Sequence, residues 1–205
     1  MFLRMDIIHN EAWLALDAAV NIRTDVPHPY RLMTLATVDE DLKPRARTVV
    51  LRGIDFNTQN LEFHTDIRSP KWDELSERPH AHILFYDLEK KVQLRFDGQV
   101  QLFGPDSIEN QTIWDKLSPF TKSTYCGQAP GIKICDLGRI AKSTQTEVPS
   151  DEELAKGKAN FGVCMFKAQT LDWCLLSRGE NNRALFEYGK SGVQSTEWLG
   201  KWVAP

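Results

Sequence analysis

From Tyr30 onward the chain is built of short runs rich in Val, Leu, Phe and Thr, separated at even spacing by turn-forming clusters. The runs cover 31–38, 45–54, 61–65, 80–86 and 92–103. Between them stand an Asp39-Glu40-Asp41 cluster, a polar stretch 55–60, a Ser-Pro segment and a charged stretch 87–91. β-Branched and aromatic residues fit a pleated, half-buried surface, and Asp, Asn, Ser and Pro stop each run. Short strands following one another this closely predict an antiparallel sandwich or barrel. Strand texture returns at 161–168, 171–176 and 183–188, and in the tryptophan-bearing tail 198–203.

Helical signals flank the strands. The N-terminal segment 1–24 reads as a helix whose body lies at about residues 10–22, with Asn10 as N-cap and Trp13, Leu14, Leu16, Ala18 and Val20 as apolar positions. Thr24-Asp25-Val26-Pro27 then breaks it. Ser69-Pro70-Lys71-Trp72-Asp73 opens a second helix with an N-cap serine, proline at the first helical position and an acid in the first turn, ending near Arg78-Pro79. A third spans Ser107 to Leu117. Residues 141–160 read as a polar loop with one short helix near Asp151 to Lys156. No composition shift marks a second domain, so residues 1–205 are expected to form one.

Composition narrows the function classes. A net charge of −3 gives no overall attraction to nucleic acid or to an anionic membrane, so an anion site has to come from local clustering. No apolar run approaches the ~18 residues that read as a membrane span. The start, Met1 to Ile8, is too short and interrupted for a secretory signal, which sets a cytoplasmic expectation. Cys126, Cys135, Cys164 and Cys174 form no CxxC pair and are read as reduced thiols. His80 and His82 share one strand face, but no third ligand accompanies them, so no metal is expected. Nucleotide-binding glycine motifs and nucleophile elbows are absent.

One run stands out against this background. Arg45-Ala46-Arg47-Thr48-Val49-Val50-Leu51-Arg52 sets three arginines around an apolar strand. Alternation puts Arg45, Arg47, Val49 and Leu51 on one face and Thr48, Val50 and Arg52 on the other. Guanidinium groups match phosphate oxygens bidentately, so the run suits a ligand with an anionic tail and a flat apolar head; solvated arginines at a strand end are the plain alternative. His64-Thr65 ends the next strand, and Ser69 and Lys71 open the helix after it. Helix N-termini, hydroxyls and a lysine add to an anion site.

In order and spacing these residues resemble the pyridoxamine 5′-phosphate oxidase family of FMN-binding split barrels. The resemblance rests on Arg47-Thr48-Val49-Val50-Leu51-Arg52, Phe63-His64-Thr65-Asp66, Ser69-Pro70-Lys71 and Gln93 five residues before Gly98. Trp173 and Arg183, ten residues apart, complete it. The resemblance implies a mainly β fold, an antiparallel split β-barrel with flanking helices. It also implies a homodimer with FMN at the subunit interface, and hydride exchange between flavin and a small substrate. Arg47, Ser69 and Lys71 would hold the phosphate, while Thr48, Val49, Val50, His64 and Thr65 would line the cofactor. Arg52 would stand near flavin and substrate, Gln93 would bond the polar edge of the ring, and Trp173 and Arg183 would close over it from the other subunit. Arg52 or Arg183 would stabilise negative charge on the reduced ring.

Departures point to a divergent branch rather than to the vitamin B6 enzyme itself. Pro70 stands where the family has a phosphate-binding Arg, and Gly179-Glu180-Asn181 stands where the vitamin-binding enzymes carry Arg-x-His. Trp114, Lys122 and Tyr125 match the substrate-phosphate region poorly. The alternatives are a reductase linked to a nicotinamide cofactor and a non-catalytic FMN- or haem-binding protein.

Overall fold

A computed structural model describes residues 4–22, 26–133, 150–176, 181–189 and 198–205. Eight strands run antiparallel: β1 (Leu32–Val38), β2 (Pro44–Asp55), β3 (Asn60–Asp66), β4 (His80–Asp87), β5 (Val92–Phe103), β6 (Phe161–Leu175), β7 (Asn182–Tyr188) and β8 (Trp198–Val203). Their order is β3-β2-β1-β4-β5-β6-β7-β8, and an added β3–β6 pairing closes the first six into a barrel. The fold is therefore the mainly β, antiparallel split barrel with flanking helices.

The long strand β6 makes both closure and splitting possible. Its first half pairs with β3, from Asp66↔Phe161 to Asn60↔Lys167, and its second half pairs with β7, from Thr170↔Glu187 to Leu175↔Asn182. The two runs expected at 161–168 and 171–176 are thus one strand. The break in alternation between them is a bulge: Gly98 pairs with Ala168 and Asp97 with Thr170, leaving Gln169 as the extra residue. Gly98 is required there, because a Cβ would stand 2.2 Å from the Lys167 carbonyl oxygen.

Alternation fills the barrel. Met33, Leu35, Leu51, Phe63, Ile83, Phe85, Leu94, Phe96 and Phe166 all point into one buried core. The helix α1 (Met5–Asn21) adds Ile8, Ala12, Trp13, Leu16 and Ala19 to it. This helix begins upstream of the expected position, so Asn10 lies inside it and Arg4 is the N-cap, with no side-chain cap. The apolar stripe extends back to Ile8, which moves the start, and it leaves Leu14 exposed.

Four further helices among the described residues pack outside. They are α2 (Pro70–Glu77), α3 (Ile108–Lys116), α4 (Pro119–Ser123) and α5 (Asp151–Asn160). α4 has no counterpart in the sequence reading. α5 is the short helix expected near Asp151 to Lys156, continued to Asn160 and begun by a Ser150–Glu153 capping box; positions 141–149 lie outside the described residues. Trp114, Tyr125, Phe161 and Val163 form a second, smaller core. Among the described residues no helix is long and apolar enough to cross a membrane. Cys126, Cys164 and Cys174 are free thiols, and Cys135 lies outside the described residues.

Candidate cofactor site

The site begins where β3 ends. Thr65 is its last inward residue; the chain turns through Asp66, Ile67 and Arg68, and Ser69-Pro70 starts α2. Ser69 N-caps α2 without a side-chain capping bond. Its hydroxyl instead donates to the Asp66 carbonyl at 2.6 Å. Lys71 Nζ donates to Thr65 Oγ1 at 3.1 Å and to Ser69 Oγ at 3.0 Å, and the two hydroxyls stand 3.1 Å apart. Thr65 and Ser69 are buried, and Lys71 is half-buried. Burial, and then the charge of Arg47, hold the Lys71 ammonium below the usual lysine range. A half-buried cation whose hydrogen bonds among the described residues go to two hydroxyls favours an incoming anion.

Arg47 is placed beside this knot but is already engaged. Its Nη2 donates to Glu74 Oε2 at 2.7 Å, and its Nη1 donates to Thr37 Oγ1, which in turn bonds Glu74. Glu74 and Thr37 are buried. Neither was singled out in the sequence. The signal for Glu74 was its place one turn beyond Lys71 on the same helix face. Arg45 pairs with Asp39 at 2.8 Å, and Arg68 pairs with Asp66 at 2.6 Å while also bonding the Gly127 carbonyl.

Val49 packs into the core, so its backbone is what it offers a ligand, whereas Thr48 is exposed and Val50 half-buried on the outer face. Arg52 is the extra residue of a second bulge, since Leu51 pairs with Phe63 and Gly53 with Glu62. Bulges re-aim side chains. Arg52 has no carboxylate partner among the described residues, and its charge is felt by Tyr125, whose phenol burial pushes up to about 12. His64 is a buried side chain with Nε2 at 2.8 Å from Glu62 Oε1, and its ring meets Phe161 edge-on at 5.0 Å. Its Nδ1 is buried without a partner among the described residues.

The remaining candidates lie across the barrel. Gln93, Cys174 and Arg183 stand in one register row over β5, β6 and β7. Arg183 donates to Asp172 through Nε at 3.0 Å and Nη2 at 2.7 Å, and Arg95 shares that carboxylate. Trp173 is 7% exposed and points into the barrel core. The structure thus groups Arg47, Thr65, Ser69 and Lys71, places Gln93 and Arg183 together on another face, and sets Trp173 on the opposite side of the sheet from Arg183. His80 and His82 face outward, at 3.1 Å from Gln99 and 3.0 Å from Asp97 respectively.

Fold and site together describe a split barrel that sets a half-buried lysine and two buried hydroxyls at the start of α2. Residues 10–104 match the FMN-binding domain of pyridoxamine 5′-phosphate oxidase, which supplies the particular cofactor, FMN. A pyridoxine/pyridoxamine 5′-phosphate oxidase of Paraburkholderia phymatum is 39% identical over 88 residues, covering 43% of this chain and 40% of that protein. A Burkholderia thailandensis protein of the same name is 35% identical over 100 residues, covering 49% of this chain and 41% of its own. The chain thus spans about two fifths of the length of these curated relatives. A pyridoxamine 5′-phosphate oxidase-related FMN-binding protein from Nostoc punctiforme shares the fold over 100% of both chains, at TM-score 0.73 and 24% identity. PhzG from Burkholderia lata, solved with tetrahydrophenazine-1-carboxylic acid, shares it over 98% of this chain and 92% of its own, at TM-score 0.69 and 19% identity. The buried hydroxyls, the lysine hydrogen-bonded to no carboxylate among the described residues, and the His64 nitrogen without a partner among them fit an FMN ligand.

Proposed function

We propose that the protein is an FMN-dependent oxidoreductase that passes a hydride between a small organic substrate and the bound flavin. The observation that carries this reading is the Lys71–Thr65–Ser69 knot inside a segment that matches an FMN-binding domain. Thr65, Ser69 and Lys71 hold the phosphate, with Arg47 at its edge. When bound, FMN supplies the two-electron chemistry. Arg52, aimed out of its bulge, offers a positive charge to the reduced ring or to an anionic substrate. No nucleophile is needed, because the protein's part is to bind and orient.

The working unit in this proposal is a homodimer. Leu32, Leu84 and Tyr86 are 53, 37 and 41% exposed and border a shallow hollow of about 260 Å³ together with Thr34 and Thr48. Such an apolar strip suits burial against a second copy. That copy would bring its Gln93 and Arg183 to the first chain's flavin; among the described residues no hydrogen bond or ion pair links them to the Lys71 cradle within one chain.

The substrate proposed is small, planar and not dependent on a phosphate of its own. Lys122 lies 5.5 Å from the centre of the Trp114 ring, and Tyr125 is buried against Phe161, so neither stands as a free phosphate ligand. Anaerobic mixing of the purified yellow protein with pyridoxamine phosphate, pyridoxine phosphate or NADPH tests the reading. Bleaching by a vitamer identifies an oxidase, bleaching by NADPH alone identifies a reductase, and a Soret band in place of flavin absorption overturns the FMN assignment.

A further inference from the structure

Four cations stand around the proposed phosphate cradle, and their partners differ in kind. Arg45 is paired with Asp39, Arg47 with Glu74 and Arg68 with Asp66. Lys71 is bonded to two hydroxyls and, among the described residues, to no carboxylate. The cleft beyond Arg47, about 550 Å³, deepens the asymmetry, since six carboxylates line it against two arginines. A phosphate ester near neutral pH carries a charge of about −1.5 to −2. Three arginines that look available in the sequence thus arrive with their charge already balanced, and the cradle meets the phosphate with one net positive charge.

Glu74 is the residue that decides this balance. It is buried and lies 2.7 Å from Arg47, the one arginine of the three that electrostatically couples to Lys71. Asp66 also acts on the Lys71 charge but is itself paired with Arg68, and Asp39 is paired with Arg45; neither of these acids is bonded to Arg47. Bringing a phosphate to Arg47 means sharing that guanidinium with a fixed carboxylate, which repels the ligand at the same time.

We infer that Glu74 is the affinity-setting residue of this site, holding Arg47 in place while weakening its grip on the phosphate, so that FMN is a dissociable ligand rather than a permanent one. The inference rests on the FMN reading above. It names a positioning residue, because Glu74 acts on the ligand through Arg47.

The test is fluorescence titration with FMN and with riboflavin, which lacks the phosphate. The wild-type protein prefers FMN by about ten- to a hundredfold, what one charge-assisted contact supplies. Glu74→Gln keeps a hydrogen-bonding group of the same shape and removes the charge; it raises FMN affinity by about tenfold or more and leaves riboflavin affinity unchanged. Glu74→Asp restores the wild-type preference. A purely structural role would move both flavins together. An FMN affinity in Glu74→Gln that is unchanged or weaker overturns the inference and leaves the FMN reading standing. A wild-type preference above about ten thousandfold also overturns it, without any variant having to fold. Wild-type protein that binds neither flavin overturns the FMN reading and this inference with it.

Discussion

Asp172 on β6 is bonded to Arg183 on β7 through Nε at 3.0 Å and Nη2 at 2.7 Å, and Arg95 on β5 reaches the same carboxylate. One largely buried acid therefore ties three neighbouring strands and cancels one of two guanidinium charges. Replacing it with Asn leaves two arginines side by side without a counter-charge. Asp172→Asn is expected to lose about 1–3 kcal/mol of stability, read from urea unfolding midpoints at unchanged m-value.

His9 gives the fold an acid limit. It is buried among Phe56, Phe186 and Trp198, and burial pushes its imidazole down to about 4. The unfolded chain takes up the proton near the ordinary value while the folded chain resists it. This group therefore costs nothing above about pH 6.5, and stability falls as pH drops from there towards 4, by roughly 3 kcal/mol in all. Urea unfolding at several pH values is expected to show that loss, and His9→Phe is expected to reduce the slope over the same window.

Asn110 joins the second core to the barrel. Its Nδ2 donates to the Phe103 carbonyl at 3.0 Å and to the Phe161 carbonyl at 2.8 Å, and the residue is fully buried. Asn110→Ala strands two carbonyls on β5 and β6 and is expected to cost about 1–3 kcal/mol, measured by thermal or urea unfolding.

Gly98 admits no side chain. A Cβ would stand 2.2 Å from the Lys167 carbonyl oxygen and 2.7 Å from Phe166 Cζ, and the first of these is backbone that cannot swing away. Gly98→Ala is expected to lose about 3 kcal/mol or more, or to give insoluble protein. An unchanged melting temperature would contradict the bulge geometry.

The strands were legible because their alternation is strong: Met33 and Leu35, Leu61 and Phe63, and Ile83 and Phe85 each mark one inward face. In the sequence β6 looks like two runs because Gln169 interrupts the period, and a bulge opposite Gly98 is invisible until the partner strand is known. Asn10 misled as a cap because its residue type suits one, whereas the apolar stripe starts earlier, at Ile8. At the site, Thr65, Ser69 and Lys71 were readable because seven consecutive positions carry them into one turn. The engagement of Arg47 was not, since Thr37 and Glu74 reach it from β1 and α2 by tertiary packing alone. The same holds for Trp173 and Arg183: register pairs Trp173 with Ala184, and that places the indole and the guanidinium on opposite faces.

The central claim is that Lys71, with Thr65 and Ser69, grips the phosphate of FMN. Titrating wild-type protein and Lys71→Ala with FMN and riboflavin, followed by flavin fluorescence, tests it most directly. The account predicts saturable FMN binding by the wild type, a loss of about tenfold or more in Lys71→Ala, and riboflavin affinity equal in the two proteins. Equal FMN affinity in wild type and Lys71→Ala, or no saturable binding at all, would contradict it.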